Sequence, residues 1–322
     1  METLHVVVTM DVEPPIHDTH PTATGPASWA DSERFIRGYV DRASEFGFPV
    51  TFFIHPEVAV EQAGLFGELR ERGCCVEGLH LHPWKFRDGV YQSHFGGLGE
   101  NDMRAVLSEA VSMWQSAMGR RPLYFRPGTF SANDLMYRVL VDLGFRGGSC
   151  SLPGRVWPRM NAVWTGAAPD PHRAHATFRQ LVGSLPFANM PVSVDFSRTR
   201  ATTGIKWQEV APSAASLEDN TLVGHLDMRP DWQEADYETI AANITKQVRR
   251  RGATVPVMNC ITHNDNDYSD PGDRVCRNFV RAMQAIVNAA GAAGMTPVGT
   301  TLETIVDLVL AEPDRSFGFI HT

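Results

Sequence analysis

Two pairs of polar residues have the type and spacing that suit a divalent cation. Asp11 and Glu13 follow the apolar run VVVTM, and His80 and His82 follow the run CCVEGL. Residues two apart on a strand point to the same side, so each pair presents its side chains together. Adjacent carboxylates both ionise at low cost only beside a cation or a shared proton, and paired imidazoles are good zinc ligands. The spacing therefore predicts a metal-dependent site.

Two more candidates also come directly after apolar runs. Arg126 follows LYF, and His263 follows VPVMNCIT. An arginine beside carboxylates would hold one of them ionised and oriented. His263 is distant from the other candidates in the sequence, so spacing alone does not bring it to them. If all these residues end parallel strands of one barrel, however, they meet at the same mouth.

The segments between these residues alternate between β-rich runs and amphipathic stretches. Predicted strands span residues 5–10, 49–54, 74–81, 123–125, 221–228, 255–262 and 296–298. Predicted helices span 32–46, 57–72, a stretch capped by Asn101, a stretch opened by a Ser131–Asp134 capping box, 237–251, 274–290 and 302–310. Such alternation requires parallel strands and favours a closed barrel, and no GxGxxG follows the first strand to suggest a dinucleotide-binding sheet. Residues 151–219 lack this regularity and are predicted to be an irregular insertion.

Composition excludes several classes of protein. The chain has 322 residues, 43% hydrophobic and 20% charged, with a net charge of 29 − 37 = −8. An acidic chain without a basic run is a poor nucleic-acid binder, and no apolar run reaches the roughly 20 residues of a membrane span. Five cysteines without CxxC spacing exclude a disulfide framework. The amino terminus lacks the basic region of a secretory signal, which predicts a cytoplasmic protein.

Taken in order, the segments TMDVEP, PVTFF, EGLHLHPW, YFRPG and ITHND resemble the polysaccharide deacetylases with the NodB-homology fold, also called carbohydrate esterase family four. The resemblance extends from about residue 5 to residue 310. It implies an α/β fold, a distorted (β/α)-type barrel of about seven units, forming one domain over residues 1–322. It also implies one divalent metal ion, with zinc expected, and removal of acetyl groups from N-acetylated sugars or glycoconjugates.

The resemblance also implies catalytic roles. Asp11 stands where the family has its general base, Arg126 where an arginine braces that base, and His263 where a histidine protonates the leaving amine. Thr129 lies where the family's backbone offers an N–H group to the oxyanion, and is predicted to contact substrate. Asp195 matches a residue that tunes the catalytic histidine.

The implied metal ligands depart from the usual pattern of the family. Val12 stands where most members have a second aspartate, and Trp84 stands where most have the second histidine. Glu13, His80 and His82 are therefore the expected ligands, in a D-x-E and H-x-H variant of the motif. Trp84 is predicted to bind substrate by stacking against a sugar face.

Two other functions stay open at this point. The departures at Val12 and Trp84 are compatible with an amidohydrolase acting on a small non-sugar amide or a cyclic ureide, as allantoinases of this superfamily do with a different dependence on metal. A barrel that binds a glycan without turnover is the third hypothesis. Retention of Asp11, Arg126 and His263 argues against it, since a decayed site need not keep all three.

Overall fold

The structure is a computed structural model, and it describes residues 2–15, 25–197, 224–228 and 234–312. The strands are β1 Glu2–Val12, β2 Val50–Ile54, β3 Cys75–Leu81, β4 Tyr124–Pro127, β5 Gly147–Gly148, β6 Val156–Trp157, β7 Ala162–Val163, β8 His172–Arg173, β9 Ala188–Asn189, β10 Val194–Asp195, β11 Gly224–His225, β12 Val257–His263 and β13 Met295–Gly299. The helices are α1 Trp29–Ser44, α2 Pro56–Glu71, α3 Glu100–Met118, α4 Met136–Asp142, α5 Glu234–Arg251, α6 Arg274–Ala292 and α7 Leu302–Ala311.

The main sheet curls into a distorted barrel. Its strand order is β12-β1-β2-β3-β4-β5-β9-β8, and β13 also pairs with β1. The pairs are parallel from β12 to β9, and β8 runs antiparallel to β9. Between β9 and β12 the wall is bridged by side chains, since Asn259 donates to the Pro191 carbonyl at 3.0 Å and Ser193 donates to the Val257 carbonyl at 3.2 Å. The predicted fold class is confirmed.

Alternate residues of β1 face two different environments. Its even-numbered apolar residues, from Leu4 to Val12, belong to the main core, which includes the apolar faces of the surrounding helices. Val7 points the other way, into a second cluster with Phe53, Tyr124 and α7 residues such as Val306. This second cluster occupies the amino-terminal end of the barrel interior. Thr9 and Asp11, the later residues on the same inner face, are polar. Because alternate residues of a strand face the same side, β1 contributes both to this apolar cluster and to a polar layer further along the barrel interior.

Two predicted helix starts are wrong. The helix α3 begins at Glu100 after Gly99, so Asn101 lies in its first turn and does not cap it. The helix α4 begins at Met136, and the proposed capping box does not form. Ser131 accepts a hydrogen bond from the Gly96 amide, and Asp134 forms an ion pair with Arg179. At α4 these contacts with other loops, which local sequence does not reveal, replace the capping box, whereas at α3 the N-cap position is taken by Gly99 without a side-chain hydrogen bond.

The segment predicted as an irregular insertion contributes to the barrel wall. Within its described part, 151–197, the short strands β8 and β9 join the main sheet, and β10 pairs with β11 in an antiparallel ladder. Residues 198–219 of that segment, and residues 221–223 of the predicted strand 221–228, lie outside the described residues. Among helices in the described ranges, none combines the length and apolar character needed to cross a bilayer.

Candidate active site

The polar layer lies where the barrel strands end. Asp11 and Glu13 come from β1 and the residue after it, His80 from β3, and Arg126 from β4. The sheet register sets Asp11 beside His263 and His80 beside Arg126 on neighbouring strands. Sequence separation hides the first of these pairings, which the parallel ladder between β1 and β12 creates. The predicted catalytic and metal-binding residues are thus brought to one end of the barrel.

A buried ion pair anchors the centre of this layer. The Arg126 guanidinium donates from Nη1 to Asp11 Oδ1 at 2.7 Å and from Nη2 to Thr9 Oγ1 at 2.9 Å. Its Nε donates to the Ser149 carbonyl at 3.3 Å, and its plane lies 4.1 Å from the centre of the Phe53 ring. Arg126 is fully buried, so this charge is stable only because each donor group has a partner.

The other oxygen of Asp11 faces two imidazoles. Its Oδ2 lies 4.0 Å from His80 Nε2 and 3.9 Å from His263 Nε2. Burial raises the pKa of Asp11, but Arg126, His80 and His263 lower it more, so this pKa lies below its usual value. Asp11 is therefore ionised at neutral pH, with one oxygen held by Arg126 and the other available to accept a proton.

Glu13, His80 and His82 form a cluster suited to a divalent metal ion. Their ligand atoms all lie within 4.8 Å of one another. Glu13 Oε1 is 3.3 Å from His80 Nε2 and 3.0 Å from His82 Nε2. Ligands about 2.1 Å from a tetrahedral ion are about 3.4 Å apart, so the cluster needs little movement to hold zinc. Two imidazoles and one carboxylate are also the ligand set of many catalytic zinc sites.

The orientations of the His80 and His82 rings are fixed by contacts on the side away from Glu13. His80 Nδ1 lies 3.0 Å from the Arg126 carbonyl, so it carries the proton and leaves the Nε2 lone pair toward Glu13. His82 packs tightly against Gly128, where an added Cβ would lie 2.2 Å from Nδ1. Any side chain at position 128 would displace that ring. Burial lowers the pKa of His82, which favours the neutral form that binds metals.

Two residues that the sequence motifs did not single out hold Glu13. Lys85 Nζ lies 2.5 Å from Glu13 Oε2. The Asn264 side chain accepts from the Glu13 amide at 2.8 Å and donates to its carbonyl at 3.0 Å. Burial raises the pKa of Glu13, but His82 and Lys85 lower it well below its usual value. Asn264 could have been found from the sequence, since it directly follows His263. For Lys85 the only indication in the sequence is its position shortly after the H-x-H motif.

A cleft of about 180 Å³ opens onto this layer. It is lined by Asp11, Glu13, His82, Thr129, Phe130, Arg155, Trp157, His225, Asp227, Ile261 and His263. Of the two predicted substrate-binding residues, Thr129 is part of this lining. Trp84 is not; its ring lies edge-on to His82 at 5.6 Å and to His94 at 6.3 Å.

One wall of the cleft is aromatic and cationic. The Arg155 guanidinium lies over the rings of Trp157, at 5.1 Å, and Phe130, at 5.7 Å, and donates to the Thr129 carbonyl at 3.1 Å. Thr129 and Phe130 both have left-handed backbone conformations, with φ of 54° and 57°. Such strain costs about 1–3 kcal/mol per residue and persists only where neighbouring contacts hold it. Here Arg155 and the Trp164 indole, which donates to the Phe130 carbonyl at 2.7 Å, supply those contacts.

The opposite wall carries a second histidine and acid. His225 Nε2 lies 3.7 Å from Asp227 Oδ2, and both residues line the cleft. Asp195, predicted to tune the catalytic histidine, instead accepts hydrogen bonds from Asn243 and Gln247 of α5, at 2.8 and 3.0 Å. Asp227 lies within the predicted strand 221–228 but was not singled out as a site residue, and its charge is one of those that raise the pKa of His263.

Comparison with known proteins identifies the fold. No family model and no curated protein match the chain. A solved structure from Mycobacterium smegmatis described as a polysaccharide deacetylase aligns over 97% of this chain and 93% of its own, with a TM-score of 0.56 and 14% identity. One from Pseudomonas aeruginosa PAO1, also described as a polysaccharide deacetylase, covers 95% and 90% with a TM-score of 0.54 and 11% identity. Puue allantoinase covers 95% and 89% with a TM-score of 0.55 and 10% identity. The chain thus has the barrel fold that the sequence resemblance implied.

Proposed function

We propose that this chain is a metal-dependent hydrolase that removes an acetyl group from an N-acetylated sugar or glycoconjugate. The observation that carries the proposal is the cluster of Glu13, His80 and His82 ligand atoms beside an ionised Asp11 and a cleft. The solved polysaccharide deacetylases with the same fold support an acetylated sugar as substrate. A zinc or other divalent ion held by Glu13, His80 and His82 would supply positive charge that polarises the acyl carbonyl and acidifies water.

Asp11 is the proposed general base. Its Oδ1 is held by Arg126, so Oδ2 is the atom that accepts the proton of the attacking water. Arg126 also keeps the carboxylate ionised and fixes its orientation, which reduces the entropic cost of reaching the reactive geometry. Backbone N–H groups near Thr129, one of the two strained residues of the cleft wall, are the proposed donors to the tetrahedral oxyanion, and an ion held by Glu13, His80 and His82 would add positive charge beside them.

His263 is the proposed general acid. Its side chain is 28% exposed toward the cleft, whereas Asp11 is 5% exposed, so His263 is the better placed of the two to reach a leaving group. Burial lowers the pKa of His263, but Asp11, Asp265 and Asp227 raise it more, leaving it above its usual value. The imidazolium form is therefore populated near neutral pH and can protonate the departing amine.

The cleft sets the size of the part of the substrate that is enclosed. Its volume of about 180 Å³ is smaller than the about 300–1,000 Å³ of pockets that enclose a whole drug-sized ligand. We infer that the acetamido end enters the cleft while the remainder stays outside. The Trp157 ring, half-buried beside Arg155, is better placed than Trp84 to pack against a sugar face.

The raised pKa of His263 predicts a specific pH dependence. The active form has Asp11 ionised and His263 protonated, so kcat/KM should fall as the pH rises through the pKa of His263, at a value above 6.5. Replacing Asp265 with asparagine removes one of the charges that raise this pKa, and should move the alkaline limb to lower pH. The profile of kcat/KM against pH measures both.

Asp267→Asn is the matched control for that measurement. Asp267 lies two residues further on, pairs with Arg34 and is not among the groups that shift the pKa of His263. The alkaline limb of the kcat/KM profile of Asp267→Asn should coincide with that of the unmodified chain. An alkaline limb that persists unchanged in His263→Gln contradicts the assignment of the acid.

Acetate release tests the proposed function directly. Purified protein, stripped with a chelator and reloaded with zinc or cobalt, should release acetate from small N-acetylated sugars and N-acetylated glycoconjugates, and the stripped protein should not. Stoichiometric metal binding with no acetate release from any of them would indicate a glycan-binding barrel instead.

A cyclic ureide is the second candidate substrate. The similarity to Puue allantoinase supports it, and so does the Lys85 ammonium, which gives Glu13 a cationic partner without any metal. Ring opening of allantoin by metal-stripped protein, without acetate release by the reloaded protein, would favour this candidate over the deacetylase.

A further inference from the structure

Lys85 is an unusual cation for this chain. It is one of three lysines, with Lys206 and Lys246, in a sequence that has 29 lysines and arginines in total. Its side chain is only 8% exposed, and its ammonium lies 2.5 Å from Glu13 Oε2. An arginine brings a planar fork that engages both oxygens of a carboxylate, whereas an ammonium is a compact point charge that can engage one. A lysine here contacts Oε2 of Glu13 and leaves Oε1 to the two imidazoles.

The two oxygens of Glu13 consequently have different partners. Oε1 faces both imidazoles, at 3.3 Å from His80 and 3.0 Å from His82, while Oε2 faces Lys85. The backbone of Glu13 is held separately by the Asn264 amide. A carboxylate that is free to rotate can exchange its two oxygens, or bind an ion through both of them. The ammonium on Oε2 opposes both changes.

We propose that Lys85 is a positioning residue that holds Glu13 so that Oε1 alone is offered to the metal ion. This inference rests on the metal site of the proposed function and adds to it a cation that contacts the ligand and not the ion. Groups that orient metal ligands in this way typically contribute a factor of about 10–100 to metal affinity. The opposite effect is also physically possible, because a positive charge near the ion repels it, and the sign of the change distinguishes the two.

Metal affinity, measured by competition with a chromophoric chelator for zinc and for cobalt, tests the inference. Lys85→Met keeps an unbranched apolar stem one atom shorter and removes the charge, and should weaken binding about 10–100-fold. Lys85→Gln can still donate to Oε2 and should weaken it less. The visible absorption of the cobalt-loaded protein should also change in Lys85→Met, because Oε2 then gains access to the ion. Lys246→Met, on the exposed face of α5, is the control and should change neither readout.

The outcomes separate this inference from the proposed function. Unmodified protein that takes up no metal overturns both. Unmodified protein that binds one ion per chain, together with a Lys85→Met variant that binds as tightly or more tightly, overturns the positioning role alone and leaves the hydrolase standing. If Lys85→Met does not fold, Lys85→Gln is judged by the same criterion, and an affinity equal to that of the unmodified chain overturns the inference.

Discussion

Alanine in place of His80 is expected to lower the rate of acetate release by a factor of about 10³ or more. The variant removes one of three ligands, and a bound ion supplies several kcal/mol of charge stabilisation, with each 1.36 kcal/mol equal to a factor of ten. It also removes the hydrogen bond that His80 Nδ1 donates to the Arg126 carbonyl. Metal content by elemental analysis, with initial rates of acetate release, measures the effect.

His5→Ala is the matched control for this variant. His5 also lies on the barrel, at the opposite end of β1, and also forms one hydrogen bond, to Thr300 at 3.0 Å. It should keep one metal ion per chain and the rate of the unmodified protein. If His80→Ala folds, loses its metal and still releases acetate at the original rate, the hydrolytic role of the cluster is refuted.

Arg126→Met is expected to destabilise the fold by about 3–5 kcal/mol, because it leaves the Asp11 carboxylate buried without its partner. It also orphans Thr9 Oγ1 and the Ser149 carbonyl as acceptors. With the guanidinium gone, the pKa of Asp11 rises because burial loses its main opposing charge, so less of the proposed base is ionised and activity falls as well. Denaturant unfolding at neutral pH measures the loss of stability.

The exposed pair between Arg104 and Asp142 provides the comparison. Its two side chains are 36% and 55% exposed, and Arg104→Met should destabilise the fold far less than Arg126→Met does. The double variant Asp11→Asn/Arg126→Met should lose less stability than the two single changes added together, since it leaves neither charge unpaired. An Arg126→Met variant no less stable than Arg104→Met would mean that the buried pair does not support the fold.

The elements with strong periodicity could be predicted from the sequence. Parallel strands buried on both faces are near-continuous apolar runs, and amphipathic helices follow a 3.6-residue period, so β1, β2, β3, α1, α2 and α6 lie close to their predicted positions. The two-residue strands β5, β8 and β9 have no periodicity to detect. Local capping rules placed the starts of α3 and α4 incorrectly, because Gly99 takes the N-cap position of α3 without a side-chain cap and Asp134 pairs with Arg179 and does not cap α4.

The candidate site likewise contains some residues whose closeness the sequence predicts and others that only the tertiary fold brings together. The period of two along a strand sets Asp11 beside Glu13 and His80 beside His82, and the sequence contains both pairings. The closeness of Asp11 and His263 depends on strand order, which follows from the packing of the whole barrel. Arg155 and Trp157 were missed because they lie on short irregular segments that only the tertiary fold brings to the cleft.

The position of β1 has a consequence for the order in which the chain can fold during synthesis. This strand lies between β2, which leaves the ribosome soon after it, and β12 and β13, which come much later in the chain. Until then the run VVVTM has one open edge, with unpaired backbone groups that can recruit other strands. While the residues between β2 and β12 are synthesised, this apolar strand is half-protected, and chaperone engagement is expected over that interval.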